Sequence, residues 1–173
     1  MRLMLLRHAK SDWNQGVADH ERPLNARGRK AAPKVGATMA GHALVPDLIV
    51  ASTATRVRET LDLVRAAFEA APKVTYDKRI YEAEPDALIQ VIHETPRDVN
   101  SLLLVGHNPG LAELAALLVA SGKAEARLRM AAKFPTAALA VLDFKGHDWS
   151  KLAPRSGKLD RFIVPKGLQG ETD

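Results

Sequence analysis

Cysteine is absent from the 173 residues, which excludes disulfide bridges and thiolate chemistry and fits a reducing compartment. Aromatic side chains supply only 5% of the chain, too few stacking platforms for single-stranded nucleic acid to be an expected partner. Long hydrophobic runs are missing as well. The first apolar stretch, residues 3–6, is far shorter than a membrane span or a secretory core. The cytoplasm is therefore the expected compartment, with no membrane partner. Metal-ligand patterns are also wanting, because "HETPR" at 93–97 lacks the second histidine of a zinc-binding helix. No metal and no organic cofactor is expected.

What remains is the profile of one folded domain. With 46% hydrophobic and 26% charged residues the composition is globular, and the length suits a single core. Lysine and arginine exceed aspartate and glutamate by 25 to 20, giving a net charge of +5. That excess favours anionic partners such as phosphates, although a plain basic surface has the same composition. The densest basic stretch, "RGRKAAPK" at 27–34, reads as a solvated helix face.

Short apolar runs alternate with helical periodicity along the chain. Residues 3–6 read as a buried strand, followed by a polar loop, "SDWNQGVADHERP", at 11–23. Asn25 is placed to cap a helix reaching about Ala40, with a kink or break expected at Pro33. "DLIVAS" at 47–52 is a second strand, after which Val57, Leu61, Val64 and Phe68 mark the apolar face of a helix. "KVTYD" at 73–77 is a short strand, and Pro85 opens a helix that turns Leu88, Ile89 and Ile92 inward. "SLLLVGH" at 101–107 is the strongest strand signal. Beyond it Asn108 is a capping residue, Pro109 a first helical residue, and Leu111, Leu114, Leu117 and Leu118 a stripe ending before Gly122. Residues 137–144 and 159–164 are late strands. The expected fold is a single α/β domain over residues 1–166, with a largely parallel central sheet and helices on both faces. Residues 167–173 form a tail expected to fray.

Three strands in this reading end on the same device. Arg7 and His8 follow the first, Arg56 sits just inside the helix after the second, and His107 follows "SLLLVG". Ligands of open α/β sheets bind beyond the carboxyl ends of the strands, so these distant residues are expected to converge. Guanidinium forks and helix amides match phosphate oxygens, and a neutral imidazole in that field is a competent nucleophile toward phosphorus.

On those residues a resemblance rests. "LLRHAKSDWN" (5–14), "ASTATRVRET" (51–60) and "LLVGHNPGL" (103–111) resemble the signature segments of the histidine phosphatase superfamily. "RPLNARG" (22–28), "IYEAEPDAL" (80–88) and "FPTAALAVLDF" (134–144) resemble its small SixA-type phosphohistidine phosphatase branch, and the match extends from Met1 to about Lys166. The resemblance implies that His8 accepts the phosphoryl group while Arg7, Arg56 and His107 enclose its oxygens. It also implies substrate contacts from Arg22, an additional arginine near the pocket, and from Asn14, which falls where phosphoglycerate mutase relatives place a phosphate contact. Most of the superfamily reads Arg-His-Gly; Ala9 replaces that glycine here, an exchange that matters if the backbone needs a positive φ.

The implied activity is a phosphatase that works through phosphohistidine at His8 on a phosphorylated protein, removing phosphate from histidine. The alternative is a phosphomonoesterase for a small phosphate ester with the same nucleophile, and a non-catalytic phosphate-binding module is a third reading. Glu82 is the candidate general acid, with Glu84 as its competitor and an ordinary surface carboxylate as an equal reading of either. His20, His42, His93 and His147 are expected to have no catalytic role. The oligomeric state is not legible in the sequence.

Overall fold

The computed structural model describes residues 1–13 and 16–165. In chain order its elements are β1 (Arg2–Arg7), α1 (Ala26–Gly41), β2 (Leu48–Ala51), α2 (Thr55–Arg65), β3 (Lys73–Tyr76), α3 (Pro85–His93), β4 (Ser101–Gly106), α4 (Gly110–Leu118), β5 (Val119–Gly122), α5 (Ala124–Ala132), β6 (Leu139–Asp143) and β7 (Gly157–Ile163). The strands form one seven-stranded sheet in the order β3-β2-β4-β1-β6-β7-β5. Four of its six neighbouring pairs are parallel, and β6 is antiparallel to both β1 and β7. This is the α/β architecture expected from the alternation of strand and helix signals.

Both faces of the sheet are covered, which is why the central strands read as unbroken apolar runs rather than as alternating ones. In β1, Leu3 and Leu5 join a core with α3, α4 and α5, while Met4 and Leu6 join a second core with α1 and α2. All four are fully buried. Val57, Leu61 and Val64 of α2 are buried on that second side, whereas Phe68 lies past the helix end and only packs against its margin.

Several expectations need correction. α1 does not break at Pro33. The proline lies on the exposed face, where water can serve the carbonyl that loses its amide partner, and Val35, Gly36 and Met39 hold the following turns in the core. Asn25 does cap α1, accepting the Gly28 amide at 2.9 Å. At the head of α4, however, the capping position belongs to Pro109 rather than Asn108. The Asn108 side chain instead donates to the Phe134 carbonyl at 2.8 Å. Two elements, β5 and α5, carried no recognised signal. The tail from 167 onward lies outside the described residues.

Two glycines set how closely helices approach the loops that matter below. A Cβ on Gly28 would meet the Lys10 carbonyl oxygen at 2.1 Å, and one on Gly110 would meet the Ala83 carbonyl oxygen at 2.0 Å. Only glycine permits these contacts, which seat α1 against the chain leaving β1 and α4 against the loop before α3.

Candidate active site

Strand register brings the site together. Arg7 pairs with Gly106 and Ala51 with Val105, so the residues that follow these parallel strands, His8, His107 and Ser52, emerge side by side. The His8 and His107 rings lie 5.2 Å apart between centroids. His107 Nε2 and Ser52 Oγ are 2.7 Å apart. Arg56, in the first turn of α2, reaches His107 Nδ1 through Nη2 at 3.2 Å. His8, His107 and Arg56 open into one cavity of about 580 Å³ lined also by Arg7, Arg22, Glu82 and Glu84, with Ser52 buried behind His107. Of the residues singled out in the sequence, Arg7, His8, Arg22, Arg56, His107, Glu82 and Glu84 are thus brought together; Asn14 lies outside the described residues.

The hydrogen bonds define the protonation of both imidazoles. His8 Nδ1 lies 2.7 Å from the Ala9 carbonyl, which only accepts, so Nδ1 carries the proton and Nε2 keeps its lone pair. At His107 the logic is reversed. Arg56 only donates, so Nδ1 of His107 accepts and Nε2–H donates to Ser52 Oγ. Burial pushes the His8 pKa well below the ordinary imidazole value, reinforced by the nearby His107, Arg56 and Arg7. His107 is lowered to about 3, by burial first and by Arg56 next. Both rings are neutral at pH 7.

The backbone around His8 is tied from three directions. Its amide donates to the Gly106 carbonyl at 3.1 Å, and the Ala137 amide bonds the carbonyls of Arg7 and His8 at 3.1 and 3.0 Å. Ala137 does this from a left-handed conformation, φ 61°, an uncommon state for a residue with a Cβ that the surrounding structure must hold in place. Ala9 shows no positive φ, so the extra methyl that replaces the family glycine is accommodated, fully buried, without backbone strain. The Ala9 amide donates to Thr60 Oγ1 at 2.9 Å, and that hydroxyl donates to the Arg56 carbonyl at 2.7 Å. Thr60 therefore ties the segment carrying the nucleophile candidate to the segment carrying Arg56.

Over this floor lies the loop between β1 and α1. It is closed at its base by the Ser11–Leu24 bridge and by the Asp12 amide on the Pro23 carbonyl at 2.9 Å. It carries Asp19, which was not recognised in the sequence. The Asp19 carboxylate receives Arg22 Nε at 3.0 Å, Arg56 Nη2 at 3.2 Å and the Tyr81 hydroxyl. The Tyr81 hydrogen bond and the two arginines lower it to about 2. Asp19 is consequently ionised at neutral pH, an acceptor that aligns both arginines. Tyr81 is raised to about 12 by burial and by Asp19, and its ring stands edge-on to His107 at 5.4 Å.

Ser52, Thr60 and Tyr81 were missed along with Asp19. The one available signal was local: Thr60 follows Arg56 by a helical turn, the spacing at which a hydroxyl bonds the carbonyl behind it. Glu82 and Glu84 are exposed at the rim, Glu82 with φ 52°. His93 donates from Nε2 to the Leu152 carbonyl at 2.8 Å, on the other side of the sheet. Among the described residues no group of three or more histidine, aspartate or glutamate side chains is arranged to hold a metal ion, and no helix is long and apolar enough to cross a membrane.

Similarity to known proteins follows this geometry. A model of the histidine phosphatase superfamily (branch 1) matches residues 3–88. An uncharacterized protein of Mycobacterium tuberculosis is 37% identical over 163 residues, covering 93% of this chain and 100% of the relative. The crystal structure of a candidate phosphohistidine phosphatase SixA from Agrobacterium tumefaciens is 31% identical with a TM-score of 0.80, covering 95% of this chain and 97% of the other. A candidate α-ribazole-5′-phosphate phosphatase from Escherichia coli shares the fold alone, with 18% identity and a TM-score of 0.63 over 95% and 96% of the two chains.

Proposed function

The chain belongs to the histidine phosphatase superfamily, and from that premise we propose that it hydrolyses phosphohistidine in a protein substrate through a phosphoenzyme formed on His8. One observation carries the proposal. His8 is buried, neutral and held by the Ala9 carbonyl so that Nε2, with its lone pair, is the ring atom available to phosphorus.

The reaction runs in two displacements. His8 Nε2 attacks phosphorus in line, the bond from phosphorus to the leaving nitrogen breaks, and the electron pair leaves with the substrate imidazole. A proton on that ring's other nitrogen lets it depart neutral. Water then attacks the phosphoenzyme, the bond from Nε2 to phosphorus breaks, and the proton displaced from water stays on the product phosphate. Arg7 and Arg56 stabilise the equatorial oxygens, and phosphoryl transfer asks mainly for such positioning and charge stabilisation. Arg56 Nε is buried without an acceptor among the described residues and supplies a donor for this role. Both nitrogens of His107 are engaged, and only Nε2 carries a proton, so donation to a phosphoryl oxygen requires Nε2–H to exchange Ser52 for that oxygen. Arg22 holds the rim side of the charge cluster through Asp19.

The second reading, a phosphatase for small phosphate esters, is favoured by the cavity volume of about 580 Å³, which suits a small molecule. A panel of nitrogen-linked and oxygen-linked phosphates separates the two. The proposal requires kcat/KM for phosphohistidine to exceed that for alkyl phosphates. Efficient hydrolysis of an alkyl phosphate, with phosphohistidine untouched, assigns the protein to the second reading.

A further inference from the structure

The two tryptophans of the chain behave oppositely. Trp149 is fully buried and donates its indole N–H to the Val99 carbonyl at 2.7 Å. Trp13 is 71% exposed, an unusual state for so large an apolar ring. It nevertheless lines the same cavity as His8 and Arg56. One face of the indole is covered by Arg22, whose guanidinium carbon lies 3.5 Å from the ring centroid. Arg22 itself is 7% exposed and fixed by Ser11 Oγ at 2.9 Å and by Asp19. The ring is thus braced from one side by a buried, immobilised cation, while the rest of its surface faces water at the cavity mouth. Bracing matters, because a platform held in place gives up little conformational freedom when something stacks on it.

In-line attack by His8 Nε2 from the floor sends the leaving group the opposite way, toward the mouth. Resting on the phosphatase reading above, we propose that Trp13 is the platform for the leaving group, packing its open surface against the planar imidazole of phosphohistidine. The chemistry favours this pairing on two grounds. A planar ring gains more from an indole than a flexible chain does, since a chain must also give up rotamer freedom. The reactive form of phosphohistidine, protonated on its second ring nitrogen, is cationic in the ring, and cations are drawn to an indole surface. Asp19 offsets the charge of Arg22 on the other face, which limits the repulsion between the two cations. Trp13 is accordingly a specificity-determining residue that favours planar over aliphatic leaving groups.

The test compares two phosphoramidates, phosphoimidazole and N-phospholysine, which share the phosphorus–nitrogen bond and differ in the leaving group. Trp13→Leu should lower kcat/KM for phosphoimidazole relative to phospholysine by about 3- to 10-fold, chiefly through KM, and Trp13→Phe should restore most of the difference. Vanadate reports the floor and should keep its inhibition constant within about twofold in both variants. An equal loss on both substrates with parallel weakening of vanadate would mean that Trp13 merely covers Arg22, and it would overturn the proposal. No change on either substrate would overturn it too. If the wild-type protein hydrolyses neither phosphoramidate, the phosphohistidine reading has failed. The leaving-group role is then decided by whether Trp13→Leu lowers activity on p-nitrophenyl phosphate relative to an alkyl phosphate.

Discussion

The floor of the cavity and its rim are built on different principles. On the floor, His8, Arg56 and His107 are 7%, 5% and 9% exposed, and each stands at a strand end or first helical turn whose position follows from the register of apolar strands. At the rim, Trp13, Glu82 and Glu84 are exposed on loops. On the proposed reading, the sheet ends supply the cationic phosphoryl site and the loops supply whatever distinguishes one leaving group from another. Losses on the floor should therefore affect every substrate alike, whereas losses at the rim should depend on the leaving group.

The sharpest break of that contrast is at the proposed nucleophile. His8→Ala should reduce turnover to background for phosphohistidine and ester substrates alike, since among the described residues no other side chain of the cavity offers a free imidazole lone pair. Rapid mixing with labelled substrate, stopped in alkaline detergent to preserve a phosphorus–nitrogen bond, should recover label on His8. Label on another residue would refute the assignment. Arg56→Ala ranks next, with an expected loss of about 10²-fold or more in kcat/KM on all substrates, the scale of removing a charge-stabilising donor. A loss confined to one class of leaving group would place Arg56 with the rim instead.

The pH dependence of stability offers a third probe of the floor. His107 titrates at about 3 when folded, against an ordinary value of 6.5, and His8 is likewise held well below that value. Between these limits the unfolded chain binds protons that the folded chain refuses. Stability should thus be complete above pH 6.5 and fall as pH drops, His107 contributing up to about 1.4 kcal/mol per pH unit down to about pH 3 and His8 adding a loss of the same sign. Asp19, lowered from 3.8 to about 2, adds a further loss only as pH falls below about 4. Urea unfolding from pH 7 to 4.5 measures the slope, and His107→Gln should flatten it. A stability constant down to pH 4.5 would contradict the neutral, buried pair.

Burial also explains what the sequence made legible. β1, β2 and β4 are covered on both faces and so appear as plain apolar runs, and α2 repeats its buried positions at helical spacing. β5 escaped notice because its four residues follow α4 with no turn between them and bury only Val119. α5 buries only Met130 and therefore has no apolar stripe to read. In the site the same division holds. Arg7, His8 and His107 stood out because cationic or imidazole side chains at or directly after the end of a buried strand are poor core material, and Arg56 because it opens the helix that follows such a strand. Asp19, Ser52, Thr60 and Tyr81 are ordinary surface residue types, and their roles arise only when separate segments meet in space. Asp19 illustrates this well: its three partners, Arg22, Arg56 and Tyr81, come from three segments of the chain.

The smallest expected effect lies at the rim, in Glu82 and Glu84. General acid catalysis is worth about 10²- to 10⁴-fold when a leaving group must be protonated as it departs. Phosphohistidine does not need it, because a proton already on the second ring nitrogen lets imidazole leave as a neutral molecule. An alkyl phosphate must otherwise expel an alkoxide. Glu82→Gln and Glu84→Gln, singly and together, should consequently change kcat/KM for phosphohistidine by less than about twofold, while wild-type activity on alkyl phosphates starts low. Under the rival reading, one of the two substitutions should cut alkyl phosphate turnover steeply and spare p-nitrophenyl phosphate, whose leaving group needs no proton. A steep loss on phosphohistidine itself would show that a rim carboxylate takes part in the chemistry, and the separation of floor from rim would then no longer hold.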